Sequence, residues 1–360
     1  MVSQKLYFLC PYGIGDTFIV CSYKKFIEAK YNTEIVFIIK KSHEVVLRLF
    51  DIKEYIIYNF SEQEIEAISQ KTNQGDIKKG EIFLTRPGYE DENSVFRYFI
   101  ERKISFVEMY TKSLGIPCIK IPNSVLPMEY PKVTKQLIEK LPGEIENITL
   151  VLPEMNAPAI DTVSLQYFEK VIQNINGPVV VNMLRPNEKL SKYCIDLSLE
   201  ELVALAINCK KVISARSGFC DLIYAKVKEL EVIYPNYFFY DLYKFEDIFE
   251  EKNSHITETV FSYSEKIKQL NCKSVAIYGM GFIGKRIVKC LEIEKFKVNY
   301  VIDRRKDIEG VELPIYQLED DLPDVDLIIV TPEQDKNELI KALNVCKGNA
   351  EVVFYKDLIK

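Results

Sequence analysis

The sequence predicts an α/β fold of three successive Rossmann-like units, and three observations carry that prediction. Short apolar runs alternate along the whole chain with stretches of helical periodicity, the pattern of parallel strands covered by helices. Each third of the chain holds one apolar run that ends in a glycine-bearing turn and opens onto a helical stretch: "PYGIGD", "SARSGF" and "YGMGFIG". The length of 360 residues, 48% of them hydrophobic, is enough for two or three cores.

The first unit, residues 1–142, opens with the strand "KLYFLC" and its glycine turn. "TFIVCSYKKFIEAK" follows, where Ile19, Tyr23 and Phe26 share one helical stripe. "TEIVFIIK", "EYIIYN" and "GEIFLT" read as further strands, and "SVFRYFIERKISFVEMYTKSLGIP" as one or two helices that stop at Gly115 and Pro117. Around "KLPGEIEN" the composition becomes turn-like, and a second alternation occupies residues 143–264. Its strands are "ITLVLP", "PVVVNML", "KVISA" and "LEVIYP"; its helices are "SLQYFEKVIQNI", "SLEELVALAINC" and "FCDLIYAKV". The aromatic stretch "YFFYDLYKFEDIFEE" leads to the third unit, residues 265–360, with strands "SVAIYG", "VNYVID", "LIIVTP" and "EVVFY". An aromatic run of this kind is expected to pack across a seam between domains rather than on a membrane. The lysines near Lys40 read as a solvated face.

A net charge of −6 and a pI near 5.4 argue against a nucleic-acid partner, which needs a basic surface to displace counterions from phosphates. Nine scattered cysteines, with neither C-x-x-C nor other ligand spacing and only His43 and His255 beside them, predict reduced thiols in a cytoplasmic protein and no metal site. The amino-terminal sequence has no signal-peptide pattern, and no apolar run approaches the roughly 20 residues of a membrane span. Contact with the inner face of a membrane would be peripheral.

Two of the turns have the residue types of a ligand site. In "PYGIGDT", Gly13 and Gly15 permit close backbone approach, and Asp16 stands at a helix start, either as a cap or as a functional carboxylate. In "VISARSGFCDLIYA", a strand runs through Arg216, Ser217 and Gly218 into a helix beginning near Phe219. Free N–H groups and the helix dipole there suit an anion such as a diphosphate, with Arg216 offering a guanidinium fork. The alternative is local: Ser217 as a cap, Asp221 favouring the helix start, and Arg216 solvated.

The stretch "LSLEELVALAINCKKVISARSGFCDLIYAKVKELEVIYP" resembles the donor-binding region of family 9 glycosyltransferases, the heptosyltransferases, and of related bacterial cell-surface glycosyltransferases. Ser217 and Gly218 fall on that family's Ser/Thr-Gly turn. Arg216 replaces its acidic residue and Asp221 its histidine, which removes two of its donor contacts. "GIGD" resembles its amino-terminal turn, where an aspartate at the position of Asp16 is the proposed general base. "LVLPEMNAPAID", containing Asn156, and "VVVNMLR", ending in Asn182 and Arg185, resemble its next two strand-turns. The resemblance covers about residues 3 to 240 and rests on weak motifs in the right order. It implies two Rossmann-like domains in the GT-B arrangement, an acceptor domain and a donor domain. It also implies sugar transfer from a nucleotide-activated donor to a glycan or lipid-linked acceptor of a bacterial surface polysaccharide, without a metal or other cofactor. Asp16 would be the base. Gly13, Gly15, Asn156, Asn182, Arg185, Arg216, Ser217, Gly218 and Asp221 would be the donor-binding set.

In the third unit Gly279, Gly281 and Gly284 have the G-x-G-x-x-G spacing between a strand and a helix, and Asp303 ends the next strand. This leaves a nucleotide or NAD(P) site open there, with tight packing of strand on helix as the alternative. The unit also resembles small Rossmann-like domains appended to sugar-modifying enzymes. Two other functions therefore stand beside sugar transfer: an NAD(P)-dependent oxidoreductase working through this unit, and a noncatalytic nucleotide-sugar binding protein.

Overall fold

The computed structural model describes residues 5–73, 78–85, 104–154, 163–184, 186–308, 310–332, 336–346 and 350–359. They form an α/β protein with three sheets. The first contains β1 (Leu6–Cys10), β2 (Ile35–Ile39), β3 (Tyr55–Ile57) and β4 (Ile82–Leu84), all parallel, in the order β3-β2-β1-β4. The second contains β5 (Thr149–Leu152), β6 (Val179–Val181), β7 (Lys211–Ala215), β8 (Leu230–Tyr234) and β9 (Ile256–Val260), in the order β6-β5-β7-β8-β9. The third contains β10 (Val275–Tyr278), β11 (Val298–Ile302), β12 (Ile315–Tyr316), β13 (Leu327–Val330) and β14 (Glu351–Phe354), parallel, in the order β12-β11-β10-β13-β14. β2, β5 and β6 are buried along their whole length, which is why they read as continuous apolar runs rather than alternating ones.

The chain divides into two compact units. One comprises Met1–Ile233 and Leu242–Thr259, and so holds the first two sheets; the other comprises Tyr234–Asp241 and Val260–Lys360. The aromatic stretch is split between them. Phe245 and Phe249 pack on Tyr224 within the larger unit, and Phe239 lies against the Arg286 guanidinium within the smaller.

The helix after the first turn differs from the single one expected. It begins at Ile14, stops at Ser22, and a second helix runs Lys24–Tyr31. The Ser22 hydroxyl donates back to the Phe18 carbonyl at 2.9 Å, and the Tyr23 N–H is shared between the Ile19 and Val20 carbonyls, a local tightening that ends the first helix.

In each of the first two sheets the strand order reverses beside the first strand of the unit: β2 lies on one side of β1 and β4 on the other, β6 on one side of β5 and β7 on the other. Open sheets bind ligands beyond the carboxyl ends of strands at such reversals. The turn after β1 lies at one of them, and the turn after β7 at the other.

These turns meet. A Cβ added to Gly15 would lie 2.5 Å from the Gly218 Cα, and one added to Gly218 would lie 2.4 Å from the Gly15 nitrogen. The helices Ile14–Ser22 and Gly218–Ile223 therefore touch backbone to backbone near their amino-terminal ends. Gly15→Ala or Gly218→Ala forces one backbone away from the other and is expected to cost about 1–3 kcal/mol, the usual range for overpacking. Urea unfolding of the full chain checks this, with Gly281→Ala as a control, since a Cβ there meets nothing within 4 Å.

Candidate functional site

The half-buried Asp16 is the third residue of its helix, and each of its carboxylate oxygens is held. Oδ2 accepts the Gly13 N–H at 3.0 Å, closing the helix start, and Oδ1 accepts the hydroxyl proton of Tyr110. Tyr110 is buried on the helix Phe106–Ser113, and its ring meets the edge of Phe106 at 5.2 Å. Beside this group Lys40, just past β2, donates to the Tyr12 carbonyl at 3.2 Å. Burial lowers the Lys40 pKa, and Asp16 works to raise it. Lys40 is half-buried against the glycine turn, not on the solvated face that the sequence suggested. His43, 5% exposed, pairs its Nδ1 with the Thr17 hydroxyl at 2.8 Å. Burial first, and then the Lys40 charge, depress the His43 pKa to about 4.

The turn after β7 is organised around a buried ion pair. The Arg216 Nη2 and Nη1 donate to the two Asp221 oxygens at 2.7 and 3.2 Å, and both side chains are nearly sealed from solvent. Arg216 Nε donates to the Tyr243 carbonyl at 3.0 Å, Nη1 also donates to the Ser217 carbonyl at 2.6 Å, and the guanidinium lies 4.7 Å from the Phe245 ring centre. Burial pushes the Asp221 carboxyl above its usual range, with Arg216 opposing the rise. Arg216 and Asp221, both expected to face a donor diphosphate, turn onto one another.

The other expected donor contacts are dispersed. Gly13 is exposed at the helix start, Ser217 is half-buried, and Gly15 and Gly218 face each other. Asn182, just past β6, donates to the Ile195 carbonyl at 3.4 Å. Asn156 and Arg185 lie outside the described residues. Tyr110 and Lys40 were missed as site residues: Tyr110 lies 94 residues from Asp16, and the one signal available was its helical spacing of four from Phe106.

In the smaller unit the glycines of "YGMGFIG" divide by role. Gly279 has φ +89°, and Gly284 sits so close that an added Cβ would lie 2.0 Å from the Gly279 carbonyl oxygen; Gly281 faces open space. Asp303 accepts the Met280 N–H at 2.7 Å and the Arg305 N–H at 3.0 Å, so its carboxylate braces the turn. Burial would raise its pKa, but these bonds outweigh it and hold the carboxyl below its usual range.

Among the described residues, no three His, Cys, Asp or Glu side chains are grouped so as to hold a metal ion, and no helix is long and apolar enough to cross a membrane. No protein-family model matches the chain, and no curated protein matches it. Solved structures similar to it include a family 9 glycosyl transferase from Veillonella parvula DSM 2008, 14% identical, covering 81% of this chain and 97% of that one, with a TM-score of 0.48. The ADP-heptose lps heptosyltransferase II of E. coli is 13% identical over 71% of this chain and 89% of its own, TM-score 0.45. The E. coli heptosyltransferase WaaC is 11% identical over 72% and 93%, TM-score 0.40.

His43 supplies a pH signature for the first turn. Its folded pKa lies below the unfolded value, so the unfolded state binds the extra proton; stability is full above about pH 6.5 and is lost as pH falls toward about 4, by up to about 3 kcal/mol. Urea midpoints measured from pH 7 to pH 4.5 are expected to fall more steeply for the natural chain than for His43→Asn.

Proposed function

We propose that the larger unit is a glycosyltransferase that moves a sugar from a nucleotide-activated donor to a surface glycan or glycoconjugate. The observation that carries this reading is the meeting of the two glycine turns, which gathers the Asp16 carboxylate and the start of the helix Gly218–Ile223 around one backbone contact. Two features that sugar transfer needs together, a base and donors for a leaving anion, thus come from segments some 200 residues apart. The order of motifs shared with family 9 glycosyltransferases supports the same reading.

In the proposed step the acceptor hydroxyl gives its proton to Asp16 while its oxygen bonds to the sugar's anomeric carbon. The bond from that carbon to the donor's diphosphate breaks, and its electron pair leaves on the phosphate oxygen. Arg216 is engaged by Asp221, so the developing charge would be met by the N–H groups at Ser217 and Gly218 and by the helix dipole. GT-B organisation and a polysaccharide or lipid-linked acceptor follow from the family resemblance, metal-independent transfer and a cytoplasmic location from the scattered cysteines without ligand spacing; all belong to the same proposal.

A nucleotide or NAD(P) in the smaller unit is a second reading, favoured by Gly281. Packing accounts for Gly279 and Gly284, but the space at Gly281 is what backbone approach to a phosphate requires. Gly281→Val is expected to lower melting modestly, since Val caps the helix less well than Gly, and to abolish any stabilisation by NADH; equal stabilisation of both proteins by NADH would remove the site from Gly281.

A thermal-shift panel of UDP-, ADP-, GDP- and dTDP-sugars tests the transferase, because a donor at 100 times its dissociation constant stabilises the chain by about 2.7 kcal/mol. Asp16→Asn then separates base from cap. The amide oxygen still accepts the Gly13 N–H, and the amide NH₂ donates to Tyr110, whose hydroxyl turns from donor to acceptor. Fold and donor affinity should hold while transfer slows by about 10² to 10⁴ fold. A fully active Asn variant would remove Asp16 from the mechanism.

A further inference from the structure

Tyr110 and the turn that follows β7 are linked by a closed circuit of contacts. From Asp16 it runs to the Tyr110 hydroxyl, and from the Tyr110 ring to Phe106. Phe106 meets the Tyr243 ring edge-on at 4.8 Å, and the Tyr243 carbonyl accepts Arg216 Nε. Arg216 holds Asp221, and Asp221 Oδ2 lies 2.8 Å from where a Gly15 Cβ would stand, one residue from Asp16. Tyr110 is fully buried.

A carboxylate on a helix start can rotate about its side-chain bonds. Asp16 cannot do so freely, because one oxygen is tied to its own turn and the other to a residue on a different helix. The first bond is local and would form in any capped helix. The second has no role in closing the helix, since the Gly13 N–H is already satisfied. Its effect is to choose which lone pairs of the carboxylate remain for an incoming hydroxyl.

We infer that Tyr110 is the positioning residue for Asp16, holding the carboxylate in the orientation in which it takes the acceptor's proton. This rests on the transferase reading. Tyr110 touches neither donor nor acceptor in this scheme and acts through Asp16 alone, so its contribution must vanish when the carboxylate is gone.

A double-mutant cycle on the full chain tests it. Nucleoside diphosphate release would be followed from UDP-glucose, ADP-glucose, GDP-mannose and dTDP-glucose, with water as acceptor, for the natural chain, Tyr110→Phe, Asp16→Asn and the pair. Tyr110→Phe keeps the ring against Phe106 and removes the hydroxyl. It should lower kcat roughly 10- to 100-fold, the range for a hydrogen bond to a charged group, leave the donor KM unchanged, and have no further effect in the Asp16→Asn background. A Tyr110→Phe enzyme at the natural rate, with Asp16→Asn slow, overturns the positioning role and leaves the transferase reading standing. Equal slowing in both backgrounds also overturns it, since Tyr110 would then act through the fold. If Asp16→Asn keeps the natural rate, Asp16 leaves the mechanism and this inference fails with it, the donor reading standing; if the natural chain releases no diphosphate from any of the four sugars, the transferase reading fails as well.

Discussion

The larger unit depends on how closely two backbones approach. Where the helices Ile14–Ser22 and Gly218–Ile223 meet, there is no volume for even one methyl group on either side. Such an approach brings two positively polarised helix starts together, an arrangement that repels unless negative charge lies near it. Asp16 and Asp221 supply that charge, Asp16 from within the first helix and Asp221 with an oxygen close beside Gly15. Burying Asp221 would be costly alone, and Arg216 compensates it with two hydrogen bonds. Removing one partner of a pair buried this deeply typically costs about 3–5 kcal/mol.

The sheets were legible in the sequence because buried parallel strands leave an unbroken apolar signature, as in "TEIVFIIK" and "PVVVNML". The turns were legible through their glycines. What could not be read was the direction of each polar side chain. Arg216 looked available for an anion because its partner, five residues on, is brought onto it only when the helix forms. Tyr110 offers only its spacing of four from Phe106, the pattern of any amphipathic helix, because its partner Asp16 lies 94 residues away. Lys40 was misjudged for a related reason: lysine-rich strand ends are usually solvated, and this one is folded against the Tyr12 carbonyl.

The glycine spacing in the smaller unit shows how a motif can mix causes. Gly279 is required by its left-handed backbone and by Pro332, which a Cβ would approach to 2.8 Å; Gly284 is required by the packing of its helix on the strand end. Thr331 reinforces the same corner by donating to the Gly279 carbonyl at 2.7 Å. Asp303, which in a dinucleotide site faces a ribose, here receives the Met280 N–H. Two glycines and the acidic residue are thus explained by the fold itself, and the spacing alone says nothing about a ligand. Gly281 is the residue on which a ligand argument has to stand.

The Arg216–Asp221 pair leaves the Arg216 guanidinium engaged within the turn after β7. A free arginine would favour the most highly charged anion available, whereas an arginine already neutralised leaves the selection to N–H groups of a short helix and to a serine hydroxyl. Such neutral donors reward geometry more than charge, because each bond is directional and its strength falls steeply with misalignment. On the transferase reading, this turn would discriminate by the shape of the diphosphate and the sugar attached to it rather than by pulling in any polyanion. It would also release the nucleoside diphosphate more readily than an arginine clamp, since the extra negative charge formed on bond cleavage meets no unpaired cation in this pair. On that reading, the Arg216–Asp221 pair would serve the rigidity of the turn rather than a charge contact with the donor.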